Sequence, residues 1–294
     1  KQDHPDCLLF FRMGDFYELF FQDAVEAADL LELTLTSRNK DDPDSIPMAG
    51  IPHHALQGYL KRLVDIGKKV AIAEQKVNPN NPKMMDRELV RVVTPGMPMD
   101  DQGLDARESC WLGGILQLKG GVVGMAFLDF STGEFRVTEV ADIDDALAEL
   151  ERMEPRELVI PEDLAEDESL QHLLARTSHT TPDPAWFDVD AGQLALCQLL
   201  STRDLAGFGA AELTAAVGAA GAVVSYARET ARVGLKHITA LKPYIVSGHM
   251  VFDEATRRNL EILRPMRGSG RKGTLLWLLD RTCTAMGGRR MREW

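Results

Sequence analysis

Aromatic and acidic side chains that could act on another molecule are concentrated near the start of the chain. Residues 12–20 read RMGDFYELF, and residues 11–20 include four aromatic side chains in a chain that is only 6% aromatic. Gly14 and Asp15 interrupt the apolar pattern, which predicts that Phe16 and Glu18 lie at the tip of a turn that opens a helix. An exposed aromatic ring adds little stability there, but it could wedge between stacked bases from the minor groove of a duplex.

The carboxylate of Glu18 would change what such a wedge selects. Phosphates repel a carboxylate, so it becomes useful only when it hydrogen-bonds a base that has left the stack. Unstacking costs least where base pairing is already defective. Phe16 and Glu18 together therefore predict a reader of helix defects, not of base sequence. The alternative is an ordinary helix start whose aromatic side chains belong to the core.

A glycine-rich segment at residues 268–273 matches the dinucleotide-binding pattern G-x-G-x-x-G literally. That fingerprint needs a preceding strand, whereas residues 260–266 are predicted to be a helix end and contain Pro265. A phosphate-binding P-loop would need a lysine after Gly273, and the chain has Thr274 there. The segment is therefore predicted to be a loop between helices and not a cofactor site.

Candidate metal ligands are isolated along the sequence. His53 and His54 are adjacent, so they point to different sides of a helix start, and no ligand recurs four residues later. Asp129 ends a predicted strand and could act as a nuclease metal ligand, but it has no evident partners. Hence neither a metal site nor a catalytic residue is predicted. The four cysteines are far apart with no C-x-x-C pair, which predicts buried thiols in a reducing cytoplasm.

Charge is distributed unevenly over the 294 residues. The net charge of −12 alone argues against a nucleic-acid binder. By region, however, it is −3 for residues 1–95, −16 for residues 96–235 and +7 for residues 236–294. Such asymmetry fits either contact with a polyanion or a solvated basic helix face. The apolar share of 45% is enough for about two domains, and no apolar run is long enough for a membrane helix.

Hydrophobic spacing predicts an α/β first segment. Its predicted strands cover residues 8–12, 33–38, 70–74 and 89–93, and its predicted helices cover residues 16–33 and 54–66. Residues 39–45 are polar and predict a loop. Two prolines in residues 46–52 exclude an interior helix or a central strand there, because they remove backbone donors.

A second α/β segment and a helical third segment follow. Three strands in meander order are predicted at residues 112–118, 122–129 and 134–140, followed by a buried strand at residues 157–161. The predicted helices cover residues 144–153, 164–176, 193–200 and 211–233. Antiparallel strands followed by alternating strand and helix are similar to a ribonuclease-H-like sheet. From about residue 250 the pattern predicts helix only.

Six short motifs in order resemble the MutS family of DNA mismatch repair proteins. The first is GDFYE at residues 14–18, which holds the family's Phe-x-Glu. The others are IPMAGIPHHA at 46–55, AIAEQ at 71–75, RVVTPG at 91–96, DEATRRNLE at 253–261 and AMGGRR at 285–290. The resemblance extends over nearly the whole chain.

The resemblance implies an α/β multidomain fold and a DNA-reading site. Residues 1–98 would form a mixed α/β mismatch-binding domain, 99–109 a linker, 110–235 a ribonuclease-H-like connector domain and 236–294 the all-α start of the core (lever) domain. In the family the Phe of Phe-x-Glu intercalates beside the mispaired base and the Glu hydrogen-bonds it, which are roles carried to Phe16 and Glu18. Four more residues fall where the family places DNA-facing side chains: Met13, Asp15, Arg38 and Met48.

The resemblance also implies a longer parent protein. Its clamp domain, P-loop ATPase and dimerisation helices would lie beyond Trp294, so the chain is expected to be a non-catalytic module without its own cofactor. The parent would use ATP and Mg²⁺, form a homodimer, bind mismatched duplex DNA and contact a MutL-like partner through the connector. It would work in the bacterial cytoplasm at the nucleoid, away from membranes.

Two alternatives are weighed against this expectation. One is a metal-dependent nuclease that uses the ribonuclease-H-like segment. The other is a MutS-like protein without a repair role, a branch that generally lacks the mismatch-reading domain or its Phe-x-Glu. Phe16 and Glu18 argue against the second alternative.

Overall fold

The computed structural model describes Lys1 and residues 4–37, 45–78, 81–98, 106–232, 234–246, 254–268 and 270–294. The chain divides into two compact units. The first comprises Lys1–Gly103 with Ala227–Gly234, and the second comprises Leu104–Tyr226 with Leu235–Trp294. Among the described residues, no helix is both long and apolar enough to span a bilayer.

Residues 1–103 of the first unit, where they are described, form one six-stranded sheet and two α-helices. The elements are β1 Cys7–Met13, β2 Phe16–Phe20, α1 Phe21–Leu31, β3 Thr36–Ser37, β4 Pro47–Pro52, α2 Leu56–Asp65, β5 Lys69–Asn78 and β6 Asn81–Val93. The strand order is β3-β4-β2-β1-β5-β6. β1 is parallel to β5 and antiparallel to β2, so the sheet is mixed.

The helix predicted for residues 16–33 is wrong over its first five residues, which form β2. Met13 pairs with Phe16, so Gly14 and Asp15 are the two-residue loop of a β-hairpin. Gly14 has a φ of +62°, a conformation that glycine adopts without strain in such turns. The apolar residues of FYELF fit a helical period, but their burial alternates as in a strand.

The exclusion of a central strand at residues 46–52 is also wrong. β4 pairs with β2 from Met48 to Pro52 and with β3 at Pro47 and Met48. The prolines lie at the two ends of β4, where a missing N–H group interrupts the ladder least. Whether this segment can form a central strand therefore depends on where its prolines lie, not on how many it has.

The larger hydrophobic core of the first unit lies on one face of its sheet, and a smaller buried cluster of Cys7, Ala71 and Val92 lies on the other face. Leu8, Phe10, Leu19, Ile51 and Val70 point to the face of the larger core and are almost fully buried. They form one cluster with buried residues of α1 and α2. β2 passes directly into α1 because Phe21, at the junction, has a φ of +55° and turns the chain without a loop.

The second unit contains another six-stranded sheet. Its strands are β7 Trp111–Gln117, β8 Val123–Asp129, β9 Glu134–Val140, β10 Glu157–Val159, β11 Ser178–Thr180 and β12 Lys242–Pro243. The order is β11-β10-β7-β8-β9-β12. β7, β8 and β9 form an antiparallel meander, and β10, β11 and β12 join it in parallel pairings. The predicted meander and the mixed α/β class are confirmed.

Eight further α-helices follow among the described residues. They are α3 Ile143–Met153, α4 Glu162–Ala165, α5 Gln171–Leu174, α6 Val189–Leu200, α7 Thr214–Ala231, α8 Glu254–Asn259, α9 Leu275–Leu279 and α10 Ala285–Glu293. The helix predicted for residues 164–176 is broken, because Ser169 donates from its N–H and its hydroxyl to Asp167, at 2.8 and 2.6 Å. Helices are the only regular elements in the described part of the last segment, but α8, α9 and α10 are short and separated by turns and bends, so the prediction of helix only is right in type and too long in extent.

Candidate functional site

One face of the first sheet carries several of the sequence-predicted site residues. Met13 pairs with Phe16, Glu18 with Gly50, and Phe20 with Met48. Cross-strand partners share a face, and residues two apart in one strand do so as well. Met13, Phe16, Glu18 and Met48 therefore lie on the face opposite the one that packs against α1 and α2, which we call the reading face.

The two remaining predicted residues are Asp15 and Arg38. Asp15 is exposed in the β1–β2 turn, beside the strand end that carries Phe16. Arg38 lies outside the described residues. In the described part of the strand predicted at residues 33–38, only the two residues of β3 are in a strand.

Phe16 is exposed because of where it lies in the hairpin. Its ring is on the reading face at the first position of β2, and the residue is 47% exposed. Its neighbour Tyr17 points to the core and is only 3% exposed. The sheet thus holds a large apolar side chain at a fixed position in contact with solvent.

Glu18 is next to Phe16 on the same face. Among the described residues, its carboxylate has no hydrogen-bond or ion-pair partner. Phe11 faces it from β1 and Gly50 from β4, so aromatic and backbone surface flank the carboxylate. The rings of Phe11 and Phe20, 6.0 Å apart, extend the apolar surface of the reading face.

A cluster beneath the reading face positions the hairpin. The Tyr17 hydroxyl donates to Glu74 of β5, and the guanidinium of Arg12 lies 5.5 Å from the centre of the Tyr17 ring. The ring of His53 stacks on Tyr17 with centroids 5.8 Å apart. Burial, followed by the hydrogen bond to Glu74, raises the pKa of Tyr17 above its ordinary value.

Two further hydrogen bonds hold the turn that precedes Phe16. The Nε of Arg12 donates to the carbonyl of Gly14 at 2.6 Å, and the N–H of His53 donates to the carbonyl of Asp15 at 2.8 Å. Sequence reasoning did not identify Arg12, Tyr17 or His53 as positioning residues, because their partners are distant in sequence or depend on the hairpin.

The nuclease alternative finds no support at Asp129. Its carboxylate is buried and accepts hydrogen bonds from the N–H groups of Cys110, Ser131 and Thr132 and from the Ser131 hydroxyl, at 2.7–3.3 Å. These bonds shape the β8–β9 turn. Within the described ranges, no group of three or more His, Cys, Asp or Glu residues could hold a metal ion.

The basic end of the chain is partly neutralised inside the second unit. Arg271 and Arg292 both contact the carboxylate of Glu108, at 3.0 and 2.9 Å. Arg107 pairs with Asp280 at 3.0 Å and donates to the carbonyl of Thr282. Arg271 and Arg292 thus bind a carboxylate of the acidic middle region, whereas the Arg107–Asp280 pair joins a base of the middle region to an acid of the basic end.

Family comparisons cover both units. MutS domain I matches residues 1–102, MutS domain II matches residues 111–239 and MutS domain III matches residues 255–294. The fold fits this multidomain class, that of proteins with MutS domains I, II and III. The mixed sheet, the meander-based α/β sheet and the short helices follow one another in the same order as these domains.

Curated relatives agree with the family models. The chain is 43% identical over 295 residues to the DNA mismatch repair protein MutS of Desulfatibacillum aliphaticivorans, covering 99% of this chain and 33% of the relative. It is 44% identical to the protein of the same name from Desulfosudis oleivorans, covering all of this chain and 34% of the relative. The chain belongs to the MutS family, and it spans about a third of the length of these relatives.

Proposed function

We propose that this chain recognises mismatched base pairs and small insertion or deletion loops in duplex DNA, as the reading part of a mismatch repair protein. The observation that carries the proposal is the reading face. It presents a half-exposed Phe16 next to a Glu18 that lacks a partner among the described residues. The names of the relatives, all DNA mismatch repair proteins, point to the same process.

Phe16 has the properties that a wedge needs. It is large, apolar and exposed, and it comes directly after a tight turn, so a narrow groove could admit it. The bonds from Arg12 and His53 to the turn hold the strand end in place before DNA arrives. Ordering the wedge in advance lowers the entropy cost of inserting it between bases.

Glu18 supplies discrimination. Its negative charge opposes close approach to a phosphate backbone, so binding to well-stacked DNA is penalised. An unstacked base can offer an N–H group to the carboxylate, and this hydrogen bond offsets the penalty only at a defect. Met13, Asp15 and Met48 surround the pair and would contact the adjoining sugars and bases, and Arg38 would contact phosphate.

The proposal extends to a parent protein whose other domains use ATP and Mg²⁺ to convert mismatch binding into a sliding clamp. That parent would be a cytoplasmic homodimer whose connector contacts a MutL-like protein. Gly268, Gly270 and Gly273 do not form a nucleotide fingerprint, because α8 and a turn precede them where that fingerprint needs a strand. We therefore assign this chain binding and no catalytic step.

Fluorescence anisotropy of the full chain tests the proposal. The probes are a short duplex with one unpaired thymine and its matched control, at low salt because phosphate contacts weaken as salt rises. We expect the chain to prefer the defective duplex and Phe16→Ala to lose the preference. Leu194→Ala, which truncates an even more exposed apolar side chain in α6, is the control that should keep the preference. Equal binding to both duplexes by the unaltered chain would refute the proposal.

A further inference from the structure

A glycine lies directly opposite the proposed base-binding carboxylate. Gly50 of β4 is the register partner of Glu18 and is exposed on the reading face. Glycine inside a strand weakens it, since it has no side chain to pack and loses more conformational freedom on folding. The presence of glycine at residue 50 therefore needs an explanation.

The backbone gives no such reason. The turn glycine Gly14 and the helix-ending Gly67 have φ values of +62° and +82°, which favour glycine. Gly50 is not among the residues with positive φ and has the extended conformation of its strand, which any residue adopts. An alanine would fit the same backbone.

Packing within the protein gives no reason either. A Cβ atom at Gly50 would lie 3.6 Å from the main-chain oxygen of Tyr17 and 3.8 Å from Cγ of Glu18, which are ordinary van der Waals distances. By contrast, a Cβ atom at Gly124 in β8 would overlap the backbone of Ala215 and Ala216. The fold requires glycine at Gly124 and only tolerates it at Gly50.

We propose that Gly50 is a specificity-determining residue that leaves the space in which the edge of a displaced base lies while it hydrogen-bonds Glu18. This inference rests on the proposed function. The Phe11 side chain lies beside Glu18 on β1. On the β4 side Gly50 has no side chain, so the free space beside the carboxylate is there. A glycine inside a strand often marks a bulge, a tight bend, or a site where a ligand or another backbone approaches closely, and β4 pairs with β2 here in regular register without a bulge. A methyl group at this position would fill the space beside the carboxylate without touching Phe16.

The size of the base then decides how strongly a side chain at Gly50 interferes. A purine extends further from its sugar than a pyrimidine, so it needs more of the space beside Glu18. Gly50→Ala should therefore weaken binding to an unpaired adenine more than to an unpaired thymine. Binding to a matched duplex should not change, because its bases stay in the stack.

The test compares Gly50→Ala with Gly58→Ala in the full chain. Gly58 is exposed on α2 with nothing within 4 Å of its Cβ position, so it is a matched control on the helix that packs against the opposite face of the sheet. We expect Gly50→Ala to reduce the preference for unpaired adenine by about tenfold, the usual effect of one misplaced methyl group. Gly58→Ala should leave the preference unchanged, and thermal melting should show both variants folded.

Phe16→Ala in the same assay separates this inference from the proposed function. If Phe16→Ala abolishes the preference while Gly50→Ala retains it within about twofold, the role of Gly50 is overturned and the function stands. If Phe16→Ala retains the preference, the proposed function fails. A Gly50→Ala variant whose binding to matched and defective duplexes falls by the same factor would also overturn the inference. The space beside Glu18 would then be needed for binding any duplex and not for a displaced base.

Discussion

β2 and β8 are both interior strands of six-stranded sheets, yet they are buried differently. All seven residues of β8 are buried, so both faces of the second sheet are covered along this strand. In β2, Tyr17 and Leu19 are buried while Phe16 is exposed and Glu18 and Phe20 are half-buried. A strand covered on both faces can only support its domain, whereas a strand with one open face can also present side chains to a partner.

Glycines in the two sheets differ in the same way. Gly124 of β8 lies against the start of α7, and helix and strand can approach closely only because the side chain is absent. Gly50 of β4 faces open surface, and its missing side chain serves no internal contact. The comparison predicts that substitutions in β8 change stability, whereas substitutions on the reading face change binding.

The largest expected effect is from Phe127→Ala in β8. Phe127 is fully buried, so truncation should lower the free energy of unfolding of the second unit by about 3–5 kcal/mol. Phe16→Ala should change stability by no more than about 0.5 kcal/mol, as is usual at exposed positions. Hydrogen exchange of β7, β8 and β9 amides during urea titration measures the first effect, and β1 and β2 amides report the second. Comparable losses for both variants would contradict the comparison.

Gly124→Ala should have the next largest effect. The added methyl group overlaps the backbone of Ala215 and Ala216, so helix and strand must move apart at a cost of about 2–3 kcal/mol. Gly50→Ala should leave stability unchanged or raise it slightly, because alanine reduces the freedom of the unfolded chain. The urea midpoints of unfolding of the two variants measure these changes in stability. A lower midpoint for Gly50→Ala than for the unaltered chain would show that the open space at Gly50 has a structural role.

Glu108→Gln should have a smaller effect on the basic end of the chain. It removes the carboxylate shared by Arg271 and Arg292, both of which are mostly shielded from solvent. We expect a loss of about 1 kcal/mol of local stability that shrinks as salt rises. Hydrogen exchange of α10 amides is the readout, and Glu168→Gln, at an exposed site in the same unit, is the control. Equal exchange in both variants would show that the ion pairs do not hold α10.

The smallest effect on stability at neutral pH is expected from the cysteine thiols, and it is measured through their reactivity. Burial, reinforced by the charge of Asp6, raises the pKa of the Cys7 thiol to about 12. At about pH 8 an aromatic disulfide reagent should modify the exposed Cys283 quickly and leave Cys7 untouched in the folded chain. The exposure of Cys283 corrects the expectation that all four thiols are buried.

The same shift predicts how stability depends on alkaline pH. The unfolded chain releases the Cys7 proton near pH 9, while the folded chain keeps it to about pH 12. The stabilising contribution is therefore complete below the unfolded pKa and is lost as pH rises through this window. Cys7→Ser should remove that part of the pH dependence, which urea midpoints over the same pH window would show.

Local patterns predicted the second sheet better than the first. The meander of β7, β8 and β9 was recoverable because glycine-containing turns separate apolar runs of strand length. Residues 16–20 were assigned to a helix because their apolar spacing fits both periods, and only pairing with β1 and β4 decides between them. The prolines of β4 led to a wrong prediction for a similar reason. They lie at the ends of the strand, and where β4 begins and ends depends on its pairing with β2 and β3.

The candidate site was predictable in its residue types but not in its geometry. Phe16 and Glu18 were named from composition and from a family resemblance, and their side-by-side position on one face follows from the strand that sequence reasoning missed. Gly50 and the supporting cluster of Arg12, Tyr17 and His53 involve pairings across the sheet, which local spacing does not encode.

The most direct test of the central claim measures whether Phe16 unstacks a base. A duplex with 2-aminopurine beside one unpaired thymine brightens when the fluorescent base loses its neighbours, so it reports the wedge itself. We predict that adding the full chain raises the fluorescence, that Phe16→Ala gives no rise at saturating protein, and that Leu194→Ala behaves like the unaltered chain. A full rise with Phe16→Ala would contradict the account, because DNA would then be opened by something other than the reading face.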